Sequence, residues 1–135
     1  MEYGEVEQRI PGLRFRGPVC VQRVEGGDPV KVQLAVGQAG RSQRVDITRW
    51  DPYLVVRSRV CKHTELDAGD PLVWTLTENA TAGLGAVVVR GAYIWVEMAL
   101  LADHVHDPEL ALAIEAIALE ADQLEAKATE GFNRF

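Results

Sequence analysis

The stretch Glu25-Gly26-Gly27-Asp28-Pro29-Val30-Lys31-Val32-Gln33-Leu34-Ala35-Val36 decides the fold class. Its second half sets Val30, Val32, Leu34 and Val36 at alternate positions against Lys31 and Gln33, the period of a strand with one buried face. Its first half is turn chemistry, two glycines followed by aspartate and proline. Upstream, Leu13, Phe15, Val19 and Val21 alternate with Arg14, Arg16, Cys20 and Gln22, so the two runs predict a hairpin. Downstream, past a loop over Gly37–Ser42, Val45 and Ile47 alternate with Arg44, Asp46, Thr48 and Trp50. Asp51-Pro52 then turns the chain into Leu54, Val56 and Val60, alternating with Tyr53, Arg57 and Arg59. These runs predict an antiparallel meander of four strands, or three if the first two are irregular.

The pattern changes at Asp67-Ala68-Gly69-Asp70-Pro71. An aspartate can cap the first amides of a helix, and a proline fits the first helical position because its missing N–H would have had no partner there. A short helix to about Asn79 follows. Gly83-Leu84-Gly85 leads into Val87–Arg90, and Gly91-Ala92 turns into Tyr93–Ala99, a second hairpin. Asp107-Pro108-Glu109 repeats the capping chemistry and opens the longest helix, running to about Glu130 and closed by Gly131. Four of the six prolines directly follow an aspartate, and each falls at one of these boundaries. The expectation is one α+β domain over 1–135, its antiparallel sheet packed against a short middle helix and a long C-terminal helix.

With 135 residues, 47% of them hydrophobic and 25% charged, the chain can bury a core of ordinary size. No basic segment followed by an apolar run stands at Met1–Ile10, and the longest apolar stretches, Val87–Val89 and Met98–Ala102, fall far short of the ~20 residues that cross a bilayer. A cytoplasmic protein is expected. Cys20 and Cys61 are too few for a disulfide scaffold, so both read as strand residues with reduced thiols. Asn79-Ala80-Thr81 matches a glycosylation acceptor whose meaning is confined to secreted chains. Charge is unevenly spread, with 11 basic and 7 acidic residues over Met1–Lys62 against 3 and 13 over His63–Phe135. The two parts therefore carry +4 and −10, a difference that bears on partners rather than on fold.

No catalytic constellation emerges. Gly83-Leu84-Gly85 lacks the strand-before, helix-after order that points a helix N-terminus at a phosphate. Asp103-His104-Val105-His106-Asp107 collects metal-ligand types, but Asp107 is expected to cap a helix and His63 is remote, so a solvated loop is the better reading. Ser42 and Ser58 have no glycine elbow around them. No catalytic residue, cofactor or metal is assigned.

Two surfaces carry the expectation of binding. If Leu13, Phe15, Val32, Leu34, Val45, Ile47, Leu54 and Val56 face the core, then Arg14, Arg16, Lys31, Arg44, Arg57 and Arg59 share the other sheet face with Trp50 and Tyr53. Such a face could hold an acidic protein segment or a nucleic-acid strand; equally, its arginines could serve only solubility and cross-strand pairing. On the last helix, Leu110, Ile114, Ile117, Ala121, Leu124 and Ala128 form the stripe that packs on the sheet. Leu112 and Leu119, with Ala126, lie on the opposite side amid Glu115, Asp122, Glu125 and Glu130, a ridge suited to a partner or to homodimerisation.

The runs Leu72-Val73-Trp74-Thr75-Leu76-Thr77-Glu78-Asn79, Gly85-Ala86-Val87-Val88-Val89, Trp95-Val96-Glu97-Met98, Asp107-Pro108-Glu109-Leu110 and Ala118-Leu119-Glu120-Ala121-Asp122 together resemble the YbjN-like family. These are bacterial proteins labelled sensory transduction regulators, with a fold similar to type III secretion chaperones. The resemblance covers roughly residues 66–130. It implies an α-β-β-β-α-β-β-α order, often dimeric, and an adaptor or chaperone-like role, and no activity site is carried over from it residue by residue. Glu2–Arg9 is a short candidate for the opening helix, ended by Pro11-Gly12. The expected function is therefore a non-enzymatic protein-binding module; the alternative is an anion or nucleic-acid binder acting through the basic sheet face.

Overall fold

In the computed structural model the described residues are 3–37, 41–66, 70–80 and 83–128. Parts of the expected Gly37–Ser42 loop, of the turn at Asp67–Asp70 and of the acceptor pattern at Thr81, together with Gly131 at the end of the last helix, lie outside them. Among the described residues six strands form one antiparallel sheet: β1 (Val19–Glu25), β2 (Val30–Val36), β3 (Arg41–Trp50), β4 (Tyr53–Lys62), β5 (Ala86–Arg90) and β6 (Tyr93–Leu101). Their order across the sheet is β1-β2-β3-β4-β6-β5, so the C-terminal hairpin adds to the meander through β6 rather than β5. The helices are α1 (Val6–Arg9), α2 (Pro71–Asn79) and α3 (Asp107–Ala128). The α+β class and the four-strand meander are as expected from alternation. The meander has one strand more than the family resemblance implies.

Alternation fixes which face is covered. Val32 stands opposite Val45 and Val30 opposite Ile47, while across the next pair Ile47 meets Val56 and Val56 meets Met98. These side chains form one apolar surface, and α3 lies on it with Leu110, Ile114, Ile117, Ala121, Leu124 and Ala128 all buried. The stripe at three- and four-residue steps thus packs as its periodicity requires. Val6 of α1 and Ile10 after it add two fully buried side chains to the same core. Tyr3 ties this opening segment down: its hydroxyl lies 3.0 Å from the Gly27 and Ile47 carbonyls and 3.1 Å from Asp28 Oδ1. Burial and the neighbouring Asp28 carboxylate push its pKa up to about 12.

Local signals explain the helix ends. Asp70 accepts from the amides of Leu72 (2.8 Å) and Val73 (3.4 Å), with Pro71 at the first helical position. At the other end of α2 the Asn79 amide makes two 2.7 Å bonds with the backbone of Val87, pinning the helix to β5. Asp107 does not cap α3 as expected: it is the first residue of the helix, and its carboxylate receives Arg9 Nη1 at 3.3 Å instead.

Two further expectations need correction. Residues 13–18 are not a strand: β1 begins only at Val19, and the Gly17 amide donates to Glu115 of α3 instead of to a neighbouring strand. Pro18 has no N–H to give to a ladder. Leu13 and Phe15 still pack on the core, but Arg14 and Arg16 do not belong to the sheet face. Of the acidic surface expected on α3, Glu115 and Asp122 are not solvated, Glu125 is exposed and Glu130 lies outside the described residues. Glu115 and Asp122 are buried; Asp122 takes Arg41 at 2.8 Å, and Glu125 takes the Gln43 amide at 2.8 Å. Part of the charge difference between the two parts of the sequence is therefore spent inside the molecule.

Candidate functional site

Among the described residues no helix lies on the sheet face opposite α3, and on it stand Arg44, Asp46, Thr48 and Trp50 of β3, Tyr53, Val55, Arg57 and Arg59 of β4, and Tyr93, Trp95, Glu97 and Leu101 of β6. Register explains the set: Asp46 is opposite Arg57, Trp50 opposite Tyr53, Arg57 opposite Glu97, Arg59 opposite Trp95, and Tyr53 opposite Leu101. Five of the expected residues, Arg44, Trp50, Tyr53, Arg57 and Arg59, are brought together here. Lys31 lies on the same face one strand further out, beside Asp46.

The centre is a stack of guanidinium groups on aromatic rings. The Arg59 guanidinium lies 4.1 Å from the Tyr93 ring centre and 5.1 Å from that of Trp95; Arg57 lies 4.2 Å from Trp95 and 5.4 Å from Trp50. Arg90 covers Trp50 at 5.1 Å. Tyr93 and Trp95 meet edge to face with centres 6.3 Å apart. Each such cation–ring contact is worth about 0.5–2 kcal/mol, so the stack holds its arginines in defined orientations. Trp95 and Val55 are buried, although among the described residues no helix lies above them.

The charges on the face are only partly balanced. Asp46, buried, binds Arg44 through two bonds of 2.8 and 3.1 Å, and this carboxylate raises the Arg44 pKa above its ordinary value. Glu97 likewise binds Arg90 through bonds of 3.1 and 2.7 Å and raises its pKa. Both pairs cancel. Arg57 and Arg59 form no ion pair with any described residue, and the buried Nε of Arg57 has no hydrogen-bond partner. At the β3–β4 turn the face becomes apolar: Trp50 is 41% exposed, Tyr53 45% and Leu101 52%.

The remaining expected residues lie elsewhere. Arg14 and Arg16 flank Phe15 in a hollow beside the first turns of α3, where Leu112 and Glu109 form the opposite wall. Leu112 is 48% exposed, but Leu119 packs partly against the core. The Gly17 passage lies over Leu119, whose Cδ1 would be 3.6 Å from a Cβ built at Gly17. The continuous leucine ridge expected on the helix back is therefore interrupted by the non-strand segment 13–18.

Tyr93, Trp95 and Arg90 were missed as members of the site. Their alternation in Arg90 and Tyr93-Ile94-Trp95 was legible, but their side of the sheet depends on β6 pairing with β4. A second omission is α2, whose Leu72, Val73 and Leu76 are 64%, 60% and 72% exposed while Trp74 and Thr75 are buried. The spacing of these three residues in Leu72-Val73-Trp74-Thr75-Leu76 was the available signal.

The other motifs resolve into structural roles. The amides of Leu84 and Gly85 face the Glu120 carboxylate at 2.8 to 3.4 Å, so a carboxylate of the chain itself occupies this glycine-containing turn. His104 and His106 are exposed, and among the described residues no three His, Cys, Asp or Glu gather in metal-binding geometry. Cys20 is an exposed free thiol; Cys61 is buried, and desolvation pushes its pKa up to about 11. No described helix is long and apolar enough to cross a membrane. A scan against protein-family models finds no match for this chain, and a search of curated proteins finds none either.

Proposed function

We propose that this chain is a non-enzymatic, cytoplasmic protein-binding module, a regulator or chaperone-like adaptor of the kind that the YbjN-like resemblance implies, and that its partner lies on the sheet face opposite α3. The observation that carries this reading is the combination on that face of half-exposed Trp50, Tyr53 and Leu101 with two stacked arginines that pair with no described carboxylate. Aromatic residues and arginine are the types that dominate binding energy at protein interfaces, and an exposed apolar patch rimmed by polar groups marks such a surface. Leu72, Val73 and Leu76 on α2 give the same protein a second apolar surface.

The test compares capture from native-cell extract by the full chain and by a Trp50→Ala, Tyr53→Ala double variant, with partners identified by mass. Both side chains are substantially exposed, so the variant is expected to retain the fold, and a thermal melt checks it. Loss of a specific protein from the variant supports the reading; identical captured sets overturn it. The alternative, a nucleic-acid strand on the same face, is favoured by its positive charge alone. It predicts a gel shift with single-stranded oligonucleotide that weakens steeply with salt.

A further inference from the structure

β3 and β4 are ten residues each, yet they pair only from Asp46–Trp50 to Tyr53–Arg57. Beyond that point β3 stays with β2 as far as Arg41, and β4 stays with β6 as far as Lys62. The sheet forks. The first link past the fork is a side-chain bond, Ser58 Oγ donating to the Arg44 carbonyl at 2.6 Å. The opening is a cleft of about 180 Å³ lined by Gln43, Arg44, Asp46, Ser58, Arg59 and Trp95.

Most polar groups of this cleft are already satisfied. Asp46 is held by Arg44, and Gln43 by Glu125. Arg59 is not: the Tyr93 and Trp95 rings fix its plane, and no described carboxylate meets it. Arg57, two residues before it on the same face, repeats the condition against Trp95 and Trp50. Residues two apart on a strand are separated by about 6.6 Å, which is also the spacing of alternate side chains along an extended peptide. A guanidinium stacked on a ring still presents its N–H edge, the geometry that receives a carboxylate.

Resting on the sheet-face reading above, we propose that the fork is a carboxylate subsite: an extended acidic segment of a partner protein places one Asp or Glu side chain on Arg59 in the cleft and the next alternate one towards Arg57. The rings argue against a nucleic-acid strand as the occupant. Single-stranded nucleic acid binds by stacking bases on free aromatic faces. Here three of the four rings on the face, Tyr93, Trp95 and Trp50, are each already faced by a guanidinium, which leaves only Tyr53 for a base.

The test titrates the full chain with a peptide of about ten residues alternating Glu and Val, with the same peptide carrying Lys for Glu, and with a single-stranded oligonucleotide of equal charge. Binding is read by calorimetry. The acidic peptide is expected to bind and the Lys peptide not to. Arg59→Gln is expected to weaken the acidic peptide about tenfold, the scale of one charge-assisted hydrogen bond. Arg57→Gln is a second variant, and thermal melts establish that both remain folded. Equal affinity for wild type and a folded Arg59→Gln overturns the subsite, as does tighter binding of the oligonucleotide than of the acidic peptide. A natural partner lost from the Trp50→Ala, Tyr53→Ala variant but kept by Arg59→Gln overturns the subsite and leaves the protein-binding reading standing. A partner kept by both variants overturns that reading itself.

Discussion

Gly85→Ala tests how closely the passage from α2 into β5 lies against α3. A Cβ built at Gly85 would stand 2.7 Å from Val96 Cγ2, 2.8 Å from Ile117 Cδ1 and 2.8 Å from Glu120 Oε2. Carbon atoms attract best at about 3.5–4.0 Å, so two apolar overlaps approach an ångström. Neither neighbour can retreat easily, because Val96 and Ile117 are 0% exposed. Overpacking of this kind costs about 1–3 kcal/mol. The same Cβ pushes on the carboxylate that accepts from the Leu84 and Gly85 amides, adding to the loss. Against it, alanine restricts the unfolded chain and returns about 0.4–1 kcal/mol. The net expectation is a destabilisation of about 2 kcal/mol, or a melting temperature lowered by about 8 °C in a chain of this size.

Urea unfolding followed by circular dichroism measures it, with an unchanged denaturant slope showing that the same surface is exposed. Gly4→Ala is the control, since nothing lies within 4 Å of its Cβ position, and it should be neutral or slightly stabilising. Shortening the obstructing side chain should couple: Ile117→Val is expected to cost less in the Gly85→Ala background than in the wild type. Gly85→Ala within about 0.5 kcal/mol of wild type, the range of an uneventful surface change, would refute the close packing of this turn under α3.

Three further outcomes follow from the same geometry. Thiol titration in the native state should label the exposed Cys20 quickly at pH 8 and leave Cys61 unreacted, because burial holds Cys61 protonated up to about pH 11; equal rates would contradict its placement. Cys61 and Tyr3 both have native pKa values raised above their unfolded ones, from 9.0 to about 11 and from 10.0 to about 12. Their contribution to stability is thus fully present below about pH 9 and is lost as pH rises towards 11 and 12, so unfolding midpoints should fall in that window and fall less in Tyr3→Phe. Asp70→Ala should lower stability by about 1 kcal/mol through loss of the two amide bonds at the start of α2, whereas Asp70→Asn should retain most of it.

The elements that local chemistry dictates were legible in the chain. Alternating valines and leucines mark β2, β3 and β4 because a sheet with one covered face sorts side chains by parity. Asp70-Pro71 announces α2 because capping needs only neighbouring residues, and the stripe from Leu110 to Ala128 reports its own buried side. Where parity misled, it did so for a physical reason: Leu13-Arg14-Phe15-Arg16 imitates a strand, yet its place is decided by a bond from Gly17 to Glu115, which is 98 residues away.

Of the candidate site, Arg44, Trp50, Tyr53, Arg57 and Arg59 could be assigned to one face from the meander alone, since successive hairpins preserve parity. That Tyr93, Trp95 and Arg90 join them required β6 to pair with β4, a choice of neighbour that no local pattern records. Glu115, Asp122 and Glu125 of α3 became tethers, and the leucines behind it lost their ridge, because both outcomes depend on what packs against the helix. Periodicity is a property of neighbouring residues and survives in the sequence. Strand order, the fork between β3 and β4 and the counter-charge of each arginine arise between residues far apart in the chain, where only the packed structure sets the distances.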